Sequence, residues 1–106
     1  ILQISGEKDP AIYPYPKNAE ERQVNAFKRI SLIVKVYNEG KKLDWANTNE
    51  NKWIVYKDFH SNRILISGFT HHLYCPSDFY YTEQENVMDA YRKFSNIYED
   101  FLGKIN

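Results

Sequence analysis

Residues that could bind a metal lie close together at His71, His72 and Cys75. A zinc site needs three or four nitrogen or sulfur ligands that converge on one ion, and His60 and Asp78 are the nearest further candidates. Neighbouring residues of a strand point to opposite faces, so His71 and His72 cannot readily serve the same ion. A lone cysteine also leaves the set short of a usual structural zinc site. We therefore expect no metal site and no cofactor.

The same residues could be arranged for nucleophilic catalysis. Cys75 would be the nucleophile, His72 or His60 the base, and Asp78 the acid that orients the base. No known local signature of a cysteine enzyme surrounds Cys75. The chain has four glycines and they are not clustered, so no phosphate-binding loop is present either. The prediction is that this protein is not an enzyme and has no catalytic residues.

Aromatic residues indicate binding instead of catalysis. The chain has nine tyrosines, six phenylalanines and two tryptophans, and tyrosine and tryptophan are enriched at protein interfaces because they combine an apolar ring with a polar group. A domain of this size cannot easily bury all of that surface, so a protein partner or a second copy of the chain is expected to cover part of it. The residues expected in this interaction face are Trp45, Trp53, Tyr56, Tyr13 and Tyr15.

A second hypothesis is binding of single-stranded nucleic acid, for which proteins combine aromatic rings and basic residues on a sheet. The candidates are Lys52, Lys57, Arg63, Phe69 and Tyr80. Fourteen basic and fourteen acidic residues cancel, so no overall field attracts a polyanion or an anionic membrane. No run approaches the ~20 apolar residues of a membrane span, and the single cysteine is typical of a reducing, cytoplasmic location. Because the chain begins with Ile1 and not methionine, we expect a processed or trimmed product.

The first element that positions these residues is predicted to be a helix. Asn18 can cap it, Glu21 stands at the capping-box position, and Gly40 marks its end. Residues 31–37 are rich in β-branched side chains and could form a strand, but a helix of about twenty residues uses both caps and is the prediction. Residues 1–17 contain three prolines and are predicted to form an extended arm. This arm either lies across its own domain, pinned by its tyrosine rings, or grips a second subunit.

Strands are predicted over residues 53–59, 63–74 and 78–81. The first places Trp53, Val55 and Phe59 on one face, and Gly68 marks a bulge or a close backbone approach in the second. A final helix is predicted from Thr82, with Glu85 completing a capping box, and ends at Gly103. Both helices are expected to pack on the sheet. The predicted fold is a two-layer α+β domain over residues 18–106. Its elements are, in order, a helix, a three-stranded antiparallel meander and a second helix.

One run of residues resembles a known group. The pattern N-E-G, D-W-x-N-x-N-x-x-K-W and a closing helix ending I-Y-E-D-F-L is similar to small uncharacterised proteins of phages and mobile elements of gut Bacteroidetes-type bacteria. The similarity covers residues 30–102. The resemblance implies a phage-linked protein in the cytoplasm of the host cell and supplies no mechanism. Its specific positions are Asn38, Glu39, Gly40, Asp44, Trp45, Asn47, Asn49, Lys52, Trp53 and residues 97–102.

Overall fold

The computed structural model describes residues 2–70 and 77–103. Within these residues the α+β class is confirmed, with two helices and an antiparallel sheet of two strands. In chain order the elements are α1 (Ala19–Asn38), β1 (Lys52–Asp58), β2 (Arg63–Phe69), a 3-10 helix (Ser77–Phe79) and α2 (Gln84–Leu102).

Helix α1 has the predicted length and both predicted ends. The Asn18 side chain accepts a hydrogen bond from the backbone N–H of Glu21 at 2.9 Å, which caps the first turn. At the other end Glu39 and Gly40 take positive φ angles of 52° and 78°, the left-handed conformation that ends a helix. The β-branched residues 31–37 are therefore helical, because burial of side chains such as Val34 outweighs a small propensity cost.

Helix α2 begins at Gln84, two residues later than the threonine that was predicted to open it. The Thr82 backbone N–H and hydroxyl both donate to Oδ1 of Asn38, at 3.0 and 3.4 Å. Thr82 is therefore bonded to Asn38 and does not cap the helix, so the predicted capping box is wrong. The N-cap residue is Glu83, whose side chain forms no cap hydrogen bond. The helix ends at Gly103, as predicted, with a φ of 93°.

The structure does not show the predicted three-stranded meander. Where the third strand was expected, Ser77–Phe79 is a 3-10 helix and only Tyr81 pairs with β1. Trp53 donates its backbone N–H to the Tyr81 carbonyl at 2.9 Å, and the Tyr81 N–H donates to the Trp53 carbonyl at 2.7 Å. Among the described residues, strand β1 therefore pairs with β2 on one side and with Tyr81 on the other. The predicted second strand is seen as far as Phe69, and residues 71–74 lie outside the described ranges.

Phe59 was predicted on a strand face with Trp53 and Val55, and this placement is wrong. Strand β1 ends at Asp58, and Phe59 lies in the turn, where it is 93% exposed. The Asp58 carboxylate accepts hydrogen bonds from the backbone N–H groups of His60 and Ser61 and from the Ser61 hydroxyl. These bonds lower the pKa of Asp58, and the bond from the Ser61 hydroxyl has the largest effect. An aspartate that bonds the next backbone groups favours a turn over continued strand.

The two helices pack antiparallel. The Gln23 side chain near the start of α1 donates to the Phe101 carbonyl at the end of α2, and Asn86 near the start of α2 donates to the Tyr37 carbonyl. Helix α2 also contacts both strands, whereas the close contacts of α1 are with α2 and the 3-10 helix. The prediction that both helices pack on the sheet is therefore correct for α2 alone.

The arm lies across α1 of its own domain. Asn25, which is buried, accepts hydrogen bonds from the backbone N–H groups of Ile12 and Tyr13 at 3.0 and 2.9 Å and donates to the Tyr13 carbonyl at 2.9 Å. Arg29 forms a two-bond ion pair with Asp9, at 3.0 and 2.9 Å. The guanidinium holds the pKa of the Asp9 carboxyl well below its usual range. The arm is thus held by Asn25 and Arg29, with Leu2 buried in the core, while the Tyr15 ring is 85% exposed and does not pin it.

The core contains a buried hydroxyl pair. The hydroxyls of Tyr81 and Tyr98 lie 2.5 Å apart and share a hydrogen bond. Burial raises the pKa of both groups above the usual tyrosine range. Tyr81 is the residue that pairs with β1, and Tyr98 lies on α2. Their hydrogen bond therefore links the sheet to the helices.

Removing one hydroxyl of this pair is expected to be costlier than removing both. In Tyr81→Phe or Tyr98→Phe, the remaining hydroxyl loses its partner in the core, at a cost of about 1–3 kcal/mol of unfolding free energy. The double variant leaves no hydroxyl unsatisfied, so its loss should be no larger than that of either single variant. Urea denaturation of the four proteins measures the coupling, and additive losses would contradict the pairing.

Candidate interaction surface

One face of the hairpin points away from α2. Side chains alternate between the two faces of a strand, and the register pairs Tyr56 with Leu65 and Lys52 with Phe69. Tyr56, Leu65 and Phe69 therefore share one face, together with Arg63 at its end. Ile66 is on the opposite face, where it lines a groove with residues of α2. We use the name hairpin face for Tyr56, Arg63, Leu65 and Phe69.

The hairpin face is apolar and partly exposed. The rings of Tyr56 and Phe69 contact edge to face, with centroids 5.8 Å apart. Leu65 is 36% exposed, and Phe59 projects from the tip of the same hairpin. Arg63 adds one exposed cation at the end next to the tip. Exposed apolar side chains rimmed by a charge are typical of a protein-binding surface.

Trp45 and Lys52 were predicted to contact a partner, and the structure places them in a clamp that holds residues 41–51. The Lys52 ammonium donates to the carbonyls of Asn47 and Glu50 at 2.7 and 2.9 Å. It also lies 5.3 Å from the centre of the Trp45 ring, a cation–π contact. The Trp45 ring in turn packs edge-on against Tyr80, with centroids 4.9 Å apart. Lys52 and Tyr80 are each 0% exposed, so neither offers surface to a nucleic acid.

The other polar residues of this run form turns. The Asp44 carboxylate accepts a hydrogen bond from the Ala46 N–H at 3.1 Å, and the Asn47 side chain accepts one from the Asn49 N–H at 3.1 Å. Short polar side chains that bond the backbone two residues ahead hold tight turns. The D-W-x-N-x-N-x-x-K pattern therefore encodes a loop and its anchor, which is a structural role.

Trp53 and Lys57 lie on the opposite side of β1 from the hairpin face. A Cβ on Gly68 would come within 3.1 Å of the Trp53 ring, so the predicted close approach at Gly68 is present. The Lys57 amine lies near Gly103 at the end of α2. Tyr13 and Tyr15 are 38% and 85% exposed on the arm. Of the ten residues that were predicted for the two binding hypotheses, the structure brings Tyr56, Arg63, Phe69 and Lys52 onto one face, and Lys52 is buried there.

Sequence reasoning missed Leu65 and Phe59 as surface candidates, and it missed the arm anchors. An asparagine at position 25, next to the apolar stripe of α1, is a signal that could have revealed the anchor, because a buried amide needs backbone partners. For Phe59 the signal was the D-F-H-S-N run, which is rich in turn residues.

A polar network joins the two helices near the start of α2. The Tyr37 hydroxyl donates to Asp89 at 2.6 Å, and Arg92 and Lys93 also contact this carboxylate. Burial and the carboxylate raise the pKa of Tyr37 to about 12. The Tyr37 hydrogen bond, then Arg92 and Lys93, hold the pKa of Asp89 well below its usual range. Neither group changes charge near neutral pH, so the network is suited to holding the helices together.

His71, His72 and Cys75, the residues considered for metal binding and catalysis, lie outside the described ranges. Within residues 2–70 and 77–103, no three His, Cys, Asp or Glu side chains gather closely enough to hold a metal ion. None of the helices in those ranges has the length and apolar character needed to cross a membrane. No protein-family model, curated protein or solved structure matches this chain.

Proposed function

We propose that this domain is a non-catalytic protein-interaction module that binds a protein partner through the hairpin face and the Phe59 ring beside it. The observation that carries the proposal is the 93% exposure of Phe59 at the tip of the hairpin whose second strand carries the 36% exposed Leu65. A large apolar ring held in water gains free energy when a partner covers it, about 1.5–3 kcal/mol for full burial. The resemblance to phage and mobile-element proteins supports a partner from the host cell or from the element itself.

The hairpin suits this role because its other residues hold the surface still. Asp58 fixes the turn that carries Phe59, and the edge contact of Tyr56 with Phe69 orients both rings. Rings that are already ordered lose little conformational freedom on binding, which favours affinity. The Tyr13 and Tyr15 side chains of the arm provide a further exposed aromatic surface.

The test is a quantitative pull-down from host cells that carry the element, with partners identified by mass spectrometry. The double variant Phe59→Ser/Leu65→Ser should retain the partner about tenfold less or worse, because two buried apolar side chains are lost. Val24→Ser is the matched control, since Val24 is 38% exposed, close to the 36% of Leu65, but lies on α1. A partner retained equally by all three proteins would show that the hairpin face does not bind it.

Binding of single-stranded nucleic acid is the second candidate, since Tyr56 and Phe69 lie on the same face of the hairpin as Arg63, which stands at the other end of β2 from Phe69. Base stacking on such rings contributes about 1–3 kcal/mol per base. In a titration with a single-stranded oligonucleotide, binding that weakens with salt and with Arg63→Ala would favour this function. No binding at low salt would exclude it and leave the protein partner.

A further inference from the structure

Strand β2 has one edge paired with β1, and no strand within the described residues pairs with its other edge. Trp53 uses both of its backbone groups on Tyr81, so it forms no ladder bonds with Gly68, its partner in the register. Bonded and non-bonded pairs alternate along an antiparallel ladder. The backbone groups of Ile64, Ile66 and Gly68 therefore point away from β1. Among residues 2–70 and 77–103, no strand other than β1 pairs with β2.

These outward groups form a self-complementary set. If a second β2 lies antiparallel with Ile66 opposite its own copy, Ile64 of each strand faces Gly68 of the other. All three N–H groups and all three carbonyls of each strand then have partners, and the arrangement has two-fold symmetry. We propose that a second copy of this chain docks edge to edge on β2, giving a four-stranded antiparallel sheet with its two-fold axis at Ile66.

The position of α2 fits this arrangement. Helix α2 contacts both strands of its hairpin, so joining two hairpins places the two copies of α2 side by side. Their separation is two strand spacings, about 10 Å, close to the distance of roughly 8–10 Å between packed helices. A groove of about 570 Å³ beside β2, with Ile66, Met88 and Tyr91 in its lining, faces this junction. Met88 is 53% exposed, and the second helix would cover it.

Two of the three charged side chains that line the groove, Glu85 and Arg92, are self-complementary, while the third, Asp89, pairs with Arg92 and Lys93 of its own chain. Glu85 and Arg92 lie about one turn before and one turn after Met88 on the groove side of α2. A two-fold axis beside Met88 brings Glu85 of each copy opposite Arg92 of the other. On the hairpin face the same pairing places Arg63 opposite Phe69 of the copy, where a guanidinium can lie against a ring. A foreign strand would pair with the edge equally well, but it would not supply these matched charges.

This inference is independent of the proposed function, because the dimer forms at the β2 edge and α2, and on the hairpin face it engages only Arg63 and Phe69 where the two chains meet. The dimer would place two hairpin faces on one side of a continuous sheet. A partner with two equivalent sites would then bind with a higher apparent affinity.

The first test is the molar mass by light scattering over a series from micromolar to millimolar concentration. The expected mass is twice the 12.6 kDa of the single chain. Ile66→Pro removes the central outward N–H without removing a bond to β1, and Met88→Glu places two like charges near the axis. Each should weaken dimerisation about tenfold or more, whereas the control Val24→Glu should not. Circular dichroism shows whether each variant folds.

The second test fixes the register in a Cys75→Ser background. Bonded antiparallel pairs have Cα atoms about 5.5 Å apart, within the range of a disulfide. Ile66→Cys should therefore cross-link two chains on mild oxidation, and Leu65→Cys should not, because Leu65 faces Ser67 of the copy. A monomeric mass throughout the series, a dimer that both variants leave intact, or equal cross-linking at positions 65 and 66 would overturn the proposal.

Discussion

Replacing Lys52 by alanine is expected to lower the free energy of unfolding by about 3 kcal/mol. The change removes a fully buried side chain, two charge-assisted hydrogen bonds to the carbonyls of Asn47 and Glu50, and the contact with the Trp45 ring. A domain of this size has roughly 5–15 kcal/mol in total, so the loss would be a large share. Urea denaturation followed by fluorescence measures it.

Lys52→Met separates the two parts of this effect. Methionine keeps the apolar stem that packs in the interior and removes only the ammonium. We expect it to lose less stability than Lys52→Ala but to free residues 41–51 to exchange their amide protons faster. The exposed Lys42 is the matched control, and Lys42→Ala should change neither property. If Lys52→Ala were as stable as the parent protein, the clamp would not hold the loop.

Replacing Asn25 by alanine is expected to release the arm and to lower the free energy of unfolding by about 2–3 kcal/mol. Three hydrogen bonds to the backbone of Ile12 and Tyr13 are lost at a buried position. The Asp9 and Arg29 ion pair cannot replace them, because it holds the chain several residues earlier. The released segment should be cut by thermolysin between Ala11 and Ile12 much faster than in the parent protein, because this protease cleaves before apolar residues in unfolded segments.

Asn49→Ala is the control for this change, because Asn49 is exposed on a loop and has no role in the arm. It should leave both the stability and the cleavage rate unchanged. A cleavage rate in Asn25→Ala equal to that of the control would mean that Asn25 does not hold the arm.

The helices could be predicted because their signals are local. The Asn18 cap and the Glu39–Gly40 end are read within a few residues, and the apolar spacing of α1 holds across its β-branched segment. The start of α2 was missed because the partner of Thr82 is Asn38, which is far away in the chain. The third strand was missed because residues 78–81 have strand-like aromatic side chains, yet only Tyr81 reaches β1.

The candidate surface could be predicted only in part, because exposure depends on long-range packing. Tyr56, Phe69 and Arg63 follow from strand alternation once the register is known. In the sequence Lys52 looks like a surface cation. It can be buried because the loop of residues 41–51 brings the Asn47 and Glu50 carbonyls to its ammonium. Composition indicated surplus aromatic surface but could not say that Tyr80 would be inside and Phe59 outside.

The positions of the tryptophans have a practical consequence for spectroscopy. Both indoles of the chain belong to one part of the molecule, Trp45 against Lys52 and Trp53 over Gly68. Their emission therefore reports on the loop and the hairpin, while ellipticity in the far ultraviolet is dominated by α1 and α2. Melting curves recorded with the two signals therefore report on different parts of the domain. Coincident curves would indicate that these parts unfold together, and separate curves that they unfold independently.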